Sequence, residues 1–280
     1  MATKSFKLAM AQMLVEGGHP ERNLARAKDR IREAASQGCS IVVLPECLDL
    51  GWTHPSARQL AKTIPGPVSD SLCESALGLG LYVVAGLTER FHSRIYNAAI
   101  LVSPSGEILL KHRKINVLDI AQDLYSIGDR LSVAETELGT LAVNICADNF
   151  PSSLAIGHCL ARMGAQVLLS PSAWAVDADH DNEKDPYGGM WREAYTLLAT
   201  LYDITVVGLS NVGPISAGPW EGRKCIGCSM AIGPGGEVLA QAPYGEDADV
   251  LEVLEIAPKE PVAKGTHLAG ELRKKGYEGP

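Results

Sequence analysis

Short runs rich in Val, Ile and Leu recur along the chain, and they restrict its fold more than any other feature of the sequence. They lie at residues 7–13, 40–46, 81–89, 97–104, 140–147, 165–174, 204–211 and 228–234. Each is bounded by Gly, Pro or charged residues, which is typical of strands covered on both faces. Such strands need helices or a second sheet over each face of their own sheet.

Helical patterns separate several of these runs. Residues 20–38 carry apolar residues at helical spacing from Leu24 to Ala34 and end at a glycine, as expected for a helix that packs on a sheet. Similar patterns occupy 70–80, 152–165 and 190–203. At 96–114 and 228–242, Pro-x-Gly turns join two apolar runs and predict hairpins.

The size and composition of the chain suit one domain. Its 280 residues are 46% hydrophobic and 21% charged, which allows one sizeable core. The alternation of strands and helices therefore predicts an α/β fold in a single domain over residues 1–280, with sheets inside and helices outside.

The charge and cysteine content exclude several classes of protein. A net charge of −8 argues against a nucleic-acid surface. No apolar run approaches the roughly 20 residues of a membrane span, and the run at 8–15 is too short for a signal peptide. An odd number of cysteines, seven, favours free thiols in a reducing cytoplasm. We therefore expect a cytoplasmic protein that binds neither nucleic acid nor membrane.

Three polar residues stand at the ends of apolar runs, where a sheet presents side chains to a crevice. They are Glu46, Lys114 and Cys146. Each alone has an ordinary interpretation: a loop carboxylate, a solvated lysine and a packed thiol. Together they form a chemically coherent set for attack on an amide or nitrile carbon.

That chemistry needs all three types of side chain. A thiol becomes a useful nucleophile at neutral pH when a base or a cation lies beside it, and a carboxylate can take its proton and return it to a leaving amine. A lysine can stabilise the developing oxyanion, helped by the backbone N–H after the nucleophile, here that of Ala147.

The sequence resembles the nitrilase superfamily of carbon–nitrogen hydrolases along almost its whole length. The blocks that carry the resemblance occur in the family's order: LAMAQM (8–13), ERNLARA (21–27), GCSIVVLPE (38–46), GW (51–52), YNAAILVSPSGEILLKHRKI (96–115), IGDRLSV (127–133), LAVNICAD (141–148), GAQVLLSPSAW (164–174), VVGLSNVG (206–213) and GCSMAIGPGGEVLAQAP (227–243). The resemblance implies a four-layer αββα sandwich, usually paired into a homodimer or higher homo-oligomer, with no metal or organic cofactor.

The resemblance also implies a role for each residue of the set. Glu46 would be the general base, Lys114 the stabiliser of the transition state, and Cys146 the nucleophile that forms a thioester. We expect Trp52, Asn149, Trp174 and Cys47 to line the substrate pocket.

The chain departs from the family pattern at three places, one of which is ATLYDI (199–204), where the family has an Arg-x-x-Glu-Asn run. Many relatives carry a second glutamate seven residues before the glycine that matches Gly128, and here that position is Ala121. Asp119, Gln122 or Asp123 could stand in after a small shift. The segment after the nucleophile reads CADNFPSS (146–153), one residue shorter before Phe-Pro than in relatives, with serine in place of their glutamate.

Two further segments have both a functional and an ordinary interpretation. The acidic stretch 174–191 lacks the glycine and glutamate of a calcium loop, so a solvated loop is favoured over a selectivity element for a cationic substrate. The Cys225-x-x-Cys228 pair has no second pair at ligand spacing, so packing is favoured over zinc or redox chemistry.

The sequence therefore predicts a thiol hydrolase that cleaves the non-peptide C–N bond of a small linear amide or N-carbamoyl compound and releases ammonia or an amine. A nitrilase that makes acid and ammonia is the alternative within the same class, because both reactions share the thioester. A catalytically weak member that binds a small molecule or partner is the alternative of another class, suggested by Ala121 and the altered segment after Cys146.

Overall fold

The computed structural model describes residues 5–262 and 265–279. The strands are β1 Phe6–Gln12, β2 Ile41–Val43, β3 Tyr82–Phe91, β4 Arg94–Val102, β5 Ile108–Arg113, β6 Val133–Thr136, β7 Gly139–Val143, β8 Val167–Ser172, β9 Ala175–Val176, β10 Thr205–Ser210, β11 Val212–Pro214, β12 Lys224–Ile226, β13 Met230–Ile232, β14 Val238–Gln241 and β15 Val250–Ile256. The α-helices are α1 Pro20–Ser36, α2 Ala57–Leu60, α3 Pro67–Leu79, α4 Ala155–Arg162, α5 Gly189–Tyr202 and α6 Thr266–Lys274.

The strands form two mixed six-stranded sheets. The first has the order β15-β1-β2-β3-β4-β5 and the second β14-β13-β10-β8-β7-β6. In each sheet the central strands are parallel, β1-β2-β3 and β7-β8-β10, and the outer strands are antiparallel. A smaller sheet, β11-β12-β9, lies beside them.

The alternation of side chains along each strand produces the layers. In β1, Leu8 and Met10 pack with residues of the second sheet, whereas Ala9 and Ala11 pack with α1 and α3. The helices α4 and α5 contact each other, and α5 contacts the second sheet. The molecule is thus the predicted αββα sandwich, and its inner apolar layer lies between the two sheets.

The predicted helices and both predicted hairpins are present. The run at 40–46 is different, because its strand β2 ends at Val43. Pro45 has no N–H to donate to a sheet, and the chain leaves the first sheet there. The next N–H, that of Glu46, donates to the Ser172 carbonyl at the end of β8 in the second sheet, at 3.2 Å. Glu46 therefore bridges the two sheets.

The sequence prediction omitted several elements. Strands β6 and β15 and helix α6 carry many charged or half-exposed residues, so they lack the continuous apolar runs of the central strands. Across the described part of the chain, no helix has the length and apolar character needed to span a membrane.

Candidate active site

The three candidate catalytic residues come from both sheets. Glu46 follows β2 and Lys114 follows β5, both in the first sheet, while Cys146 follows β7 in the second and begins a 3₁₀ turn, Cys146–Asn149. All three line one cavity. The structure brings together the set that the sequence proposed.

Glu46 is almost completely buried, at 1% exposure. Strand β3 passes directly beside it, since a Cβ on Gly86 would lie 2.5 Å from the Glu46 Cα. Only glycine allows so close an approach, so Gly86 fixes the position of Glu46 in the crevice.

The two oxygens of Glu46 differ in their hydrogen bonds. Oε1 accepts from Lys114 Nζ at 2.7 Å and from Asn97 Nδ2 at 2.6 Å. Oε2 is also buried, yet it has no such donor among the described residues. An unpaired carboxylate oxygen is costly to bury. It is therefore the acceptor left for the neighbouring Cys146 thiol.

Lys114 is held both at its backbone and at its ammonium group. Its N–H donates to the Asn97 carbonyl and its own carbonyl accepts from Gly128 N–H, each at 2.8 Å. Burial alone lowers the pKa of Lys114, but the charge of Glu46 and its hydrogen bond to the ammonium raise it above its usual value. The ammonium is thus kept charged inside the cavity.

Cys146 occupies a sharp turn at the end of its apolar run. Its φ of 44° is uncommon for a residue with a side chain. Its N–H donates to Ser170 Oγ at 3.1 Å, which holds this backbone in place. Strain of this kind, fixed by surrounding contacts, is found at functional sites.

The Cys146 thiol is protonated at neutral pH. Burial and the charge of Glu46 raise its pKa to about 12, although the charge of Lys114 opposes the shift. The thiol therefore needs a base at the moment of attack, and among the described residues Glu46 is the one whose carboxylate lines this cavity.

Asp148 ties the nucleophile turn to the segment after Lys114. Its Oδ1 accepts from the N–H groups of Ile115 and Asn116, at 3.1 and 2.7 Å. Its Oδ2 bonds His112 Nε2 at 2.8 Å and the N–H of Ile145 at 3.0 Å. Burial alone raises the pKa of Asp148, but the contacts with His112, the N–H of Asn116 and the charge of Lys114 together outweigh burial and hold that pKa below its usual value. The carboxylate fixes the spacing of Lys114 and Cys146.

Hydrogen bonds to the carbonyl oxygen of Ala147 hold the backbone of this residue in place. That oxygen accepts from Asn116 Nδ2 at 2.7 Å and from Ser153 Oγ at 2.6 Å. Ala147 is the second residue of the 3₁₀ turn, where N–H groups have no acceptor within the helix. The N–H is therefore available for the oxyanion, the role that the sequence proposed for it.

The cavity is about 200 Å³ in volume and its walls are mostly aromatic. All four tryptophans of the chain line it, and they form two pairs. The ring centres of Trp174 and Trp191 lie 4.9 Å apart in a stacked pair, and those of Trp52 and Trp220 lie 4.7 Å apart in a tilted pair. The predicted pocket residues Trp52 and Trp174 thus lie on its walls.

The other two predicted pocket residues lie elsewhere. Cys47 has a φ of 46°, so the chain turns after Glu46, and the thiol of Cys47 lies 3.6 Å from the Tyr125 hydroxyl in the apolar cluster that also contains Trp52. Asn149 is fully buried behind the nucleophile, where it hydrogen-bonds Asn144 and Ser170. Neither residue lines the cavity.

No side chain replaces the family's second glutamate at its own position. Ala121 is buried in the apolar cluster that contains Cys47. Asp119, Gln122 and Asp123, which the sequence offered as substitutes after a small shift, are exposed to solvent and do not line the cavity.

The acidic segment and the cysteine pair have ordinary surroundings. The carboxylates from Asp177 to Asp185 are exposed, and Asp177 pairs with Arg223 at 2.9 Å. Cys225 and Cys228 are both buried. Within 5–262 and 265–279 there is no cluster of three or more side chains of the types that bind metals.

The sequence reasoning missed the residues that support the set. Asn97, Ser170 and Asp148 are each buried and hydrogen-bonded to one of its members or to the adjoining backbone. Their signal was weak but present, since each is a polar residue within or just after an apolar run.

The sequence is similar to those of known carbon–nitrogen hydrolases over most of its length. A family model described as carbon–nitrogen hydrolase matches residues 7–256. The omega-amidase NIT2 of Xenopus tropicalis is 30% identical over 278 residues, covering 92% of this chain and 94% of that protein. A nitrilase of Pyrococcus abyssi is 32% identical over 248 residues, covering 86% of each chain.

Solved structures show the same fold. A carbon–nitrogen hydrolase from Helicobacter pylori aligns with a TM-score of 0.81 at 19% identity, covering 98% of this chain and 94% of that one. Saccharomyces cerevisiae Nit3 aligns at 0.78 and 21% identity, covering 100% and 97%. An amidase from Nesterenkonia sp. aligns at 0.77 and 20% identity, covering 99% and 98%.

Proposed function

We propose, from the premise that this chain belongs to the carbon–nitrogen hydrolase family of the nitrilase superfamily, that it hydrolyses a small linear amide or N-carbamoyl compound through a thioester on Cys146. The observation that carries the proposal is a buried thiol and a buried carboxylate oxygen that has no hydrogen-bond donor among the described residues, in one cavity with a lysine ammonium.

In the first half of the reaction, Glu46 takes the thiol proton while the sulfur attacks the substrate's carbonyl carbon. The carbonyl electrons move to oxygen, and Lys114 Nζ and the N–H of Ala147 stabilise that oxyanion. Glu46 then gives its proton to the departing nitrogen, the C–N bond breaks, and a thioester remains.

The second half uses the same groups. Glu46 takes a proton from water, the hydroxide adds to the thioester carbon, and the oxyanion forms again beside Lys114. When the C–S bond breaks, the thiolate recovers the proton from Glu46 and the carboxylic acid leaves. Protons and electrons balance without a metal or an organic cofactor.

The omega-amidases and the amidase among the relatives support an amide as the substrate, and the Pyrococcus abyssi nitrilase supports the nitrile alternative. Several of the similar curated proteins are named omega-amidases. The similar amidase from Nesterenkonia sp. is described in complex with acrylamide and with butyramide, and with an acetamide moiety added covalently at its active-site cysteine. Small neutral amides are therefore the first compounds to test.

The test is ammonia release across a panel of amides, N-carbamoyl acids and nitriles, with the Cys146→Ala variant in parallel. We expect release from at least one amide by the native protein and none above background by the variant. Release from nitriles alone would instead make the protein a nitrilase. Equal release by both proteins, or none by either, would overturn the proposal and favour a binding role.

A further inference from the structure

We propose that the acyl group accommodated by this cavity is small, flat and uncharged, such as an aryl group on a short chain. This inference rests on the proposed function, whose cavity it describes. The feature that carries it is the composition of the walls: four tryptophans surround a space in which the only charged pair is already neutralised.

The charges within the cavity cancel each other. Glu46 and Lys114 line it and form an ion pair at 2.7 Å. Burial raises the pKa of Tyr187, the other ionisable wall residue besides Cys146, so its hydroxyl stays neutral. A carboxylate on the acyl group would thus be buried without a free cation, which is strongly unfavourable.

The nearest additional cation is already paired outside the cavity. The Arg223 guanidinium lies 4.4 Å from the centre of the Trp220 ring and pairs with Asp177 at 2.9 Å. Arg223 is not among the wall residues. Its guanidinium already makes a cation–π contact with Trp220. A cationic acyl group would in turn be buried beside a Glu46 carboxylate that is already paired with Lys114.

The shape of the space agrees with a flat group. Stacked and tilted aromatic pairs present flat walls that favour offset contacts with another ring. The volume of about 200 Å³ lies below the roughly 300 to 1,000 Å³ of pockets that hold drug-sized ligands. A single ring on a short chain is the size that this comparison favours.

Binding and turnover can be measured separately. The fluorescence of the four tryptophans reports binding to the Cys146→Ala variant, with 3-phenylpropanamide, succinamate and β-alaninamide as neutral, anionic and cationic probes. We expect 3-phenylpropanamide to bind about 100-fold more tightly than either charged amide. The same titration with Cys146→Ser, which keeps the Glu46–Lys114 pair, serves if the alanine variant does not fold.

Substitutions in and outside the walls test the site of binding. Trp220→Leu, at a half-buried position, should weaken binding of 3-phenylpropanamide about 10-fold and that of butyramide by less than 3-fold, because butyramide has no ring to stack. Phe91→Leu, an exposed aromatic outside the cavity, should change neither affinity.

Tighter binding of succinamate or of β-alaninamide would overturn this inference, even where the native protein hydrolyses that amide and so upholds the proposed function. A preference for 3-phenylpropanamide supports the inference, even if the native protein releases no ammonia from any amide and the proposed function fails.

Discussion

Two buried glutamates of this molecule, Glu46 and Glu89, differ in how their carboxylate oxygens are hydrogen-bonded. Glu46 and Glu89 are each at most 1% exposed, and each pairs with a basic residue of β5 or of its end. Both oxygens of Glu89 are occupied, Oε1 by Lys111 and Arg113 and Oε2 by Arg113. In Glu46, Oε1 takes both nitrogen donors and Oε2 takes none.

The difference shows that burial and ion pairing do not by themselves identify a catalytic carboxylate. Glu89 has no lone pair directed at a reacting group, and its bidentate arginine contact is typical of structural pairs. Glu46 keeps one oxygen for the thiol because Asn97 and Lys114 both bind the other. A carboxylate oxygen that accepts no hydrogen bond from the described residues therefore distinguishes Glu46 from Glu89.

The largest effect is expected at Glu46. Glu46→Gln removes the base while the thiol stays protonated, so kcat should fall about 10³- to 10⁴-fold. Steady-state ammonia release measures this loss, and circular dichroism checks that the fold is unchanged. Combining Glu46→Gln with Cys146→Ala should cost no more than the cysteine change alone, because the two residues act as a unit. Additive losses would argue against general-base action.

The opposite pattern is expected at Glu89. Glu89→Gln leaves Lys111 and Arg113 without their buried counter-charge, so the free energy of unfolding should fall by about 3 to 4 kcal/mol. Denaturant titration measures the change. The kcat per folded molecule should remain within 3-fold of the native value. If Glu89→Gln instead lowered kcat strongly and left the stability unchanged, Glu89 rather than Glu46 would act in catalysis.

Asp49 extends the comparison to a buried carboxylate without a cation. It accepts hydrogen bonds from the N–H groups of Leu50 and Thr88, and burial raises its pKa to about 6. The folded state therefore holds this proton to a higher pH than the unfolded state. Stability that is present below pH 4 is lost as the pH rises through about 6.

This dependence gives a prediction for Asp49→Asn. Between pH 4 and pH 7 the native protein should lose about 3 kcal/mol of unfolding free energy relative to the variant, since one pKa unit corresponds to about 1.4 kcal/mol. Unfolding titrations at both pH values measure the difference. A difference of the opposite sign would show that the Asp49 carboxyl is stabilised in its charged form.

A smaller effect is expected at Asn97, which positions Glu46. Asn97→Ala removes one charge-assisted hydrogen bond to Oε1, so kcat should fall about 10- to 50-fold with little change in KM. Asn23 is a matched control, because it is also buried and donates to backbone carbonyls far from the cavity. Asn23→Ala should lower stability and leave kcat unchanged; equal losses of kcat in both variants would remove the positioning role.

The central strands and the catalytic candidates could be predicted from sequence for one physical reason. Continuous apolar runs mark strands covered on both faces, and a polar residue at the end of such a run lies where the sheet meets a crevice. The edge strand β15 escaped prediction because its charged residues face solvent. Its pairing with β1 depends on residues far apart in the chain.

The surroundings of the site were harder to predict, because backbone turns redirect neighbouring side chains. Cys47 follows Glu46 directly, yet its positive φ sends it to Tyr125. Asn149 follows Cys146 by three residues, and the 3₁₀ turn directs it to Ser170 behind the nucleophile. Asn97 lies inside a strand, where sequence alone does not show which carboxylate it reaches.

The division of the candidate site between two sheets has a consequence for refolding. Glu46 and Lys114 follow strands of one sheet and Cys146 follows a strand of the other. Hydrogen bonds from the Glu46 N–H to Ser172 and from the Asn116 N–H to Asp148 join the two parts. A chain that has formed both sheets without packing them would have native-like far-ultraviolet circular dichroism and no catalytic geometry. During refolding, enzyme activity should therefore return only when tertiary packing forms, which is later than the return of secondary structure. Turnover would then report when the two sheets pack against each other.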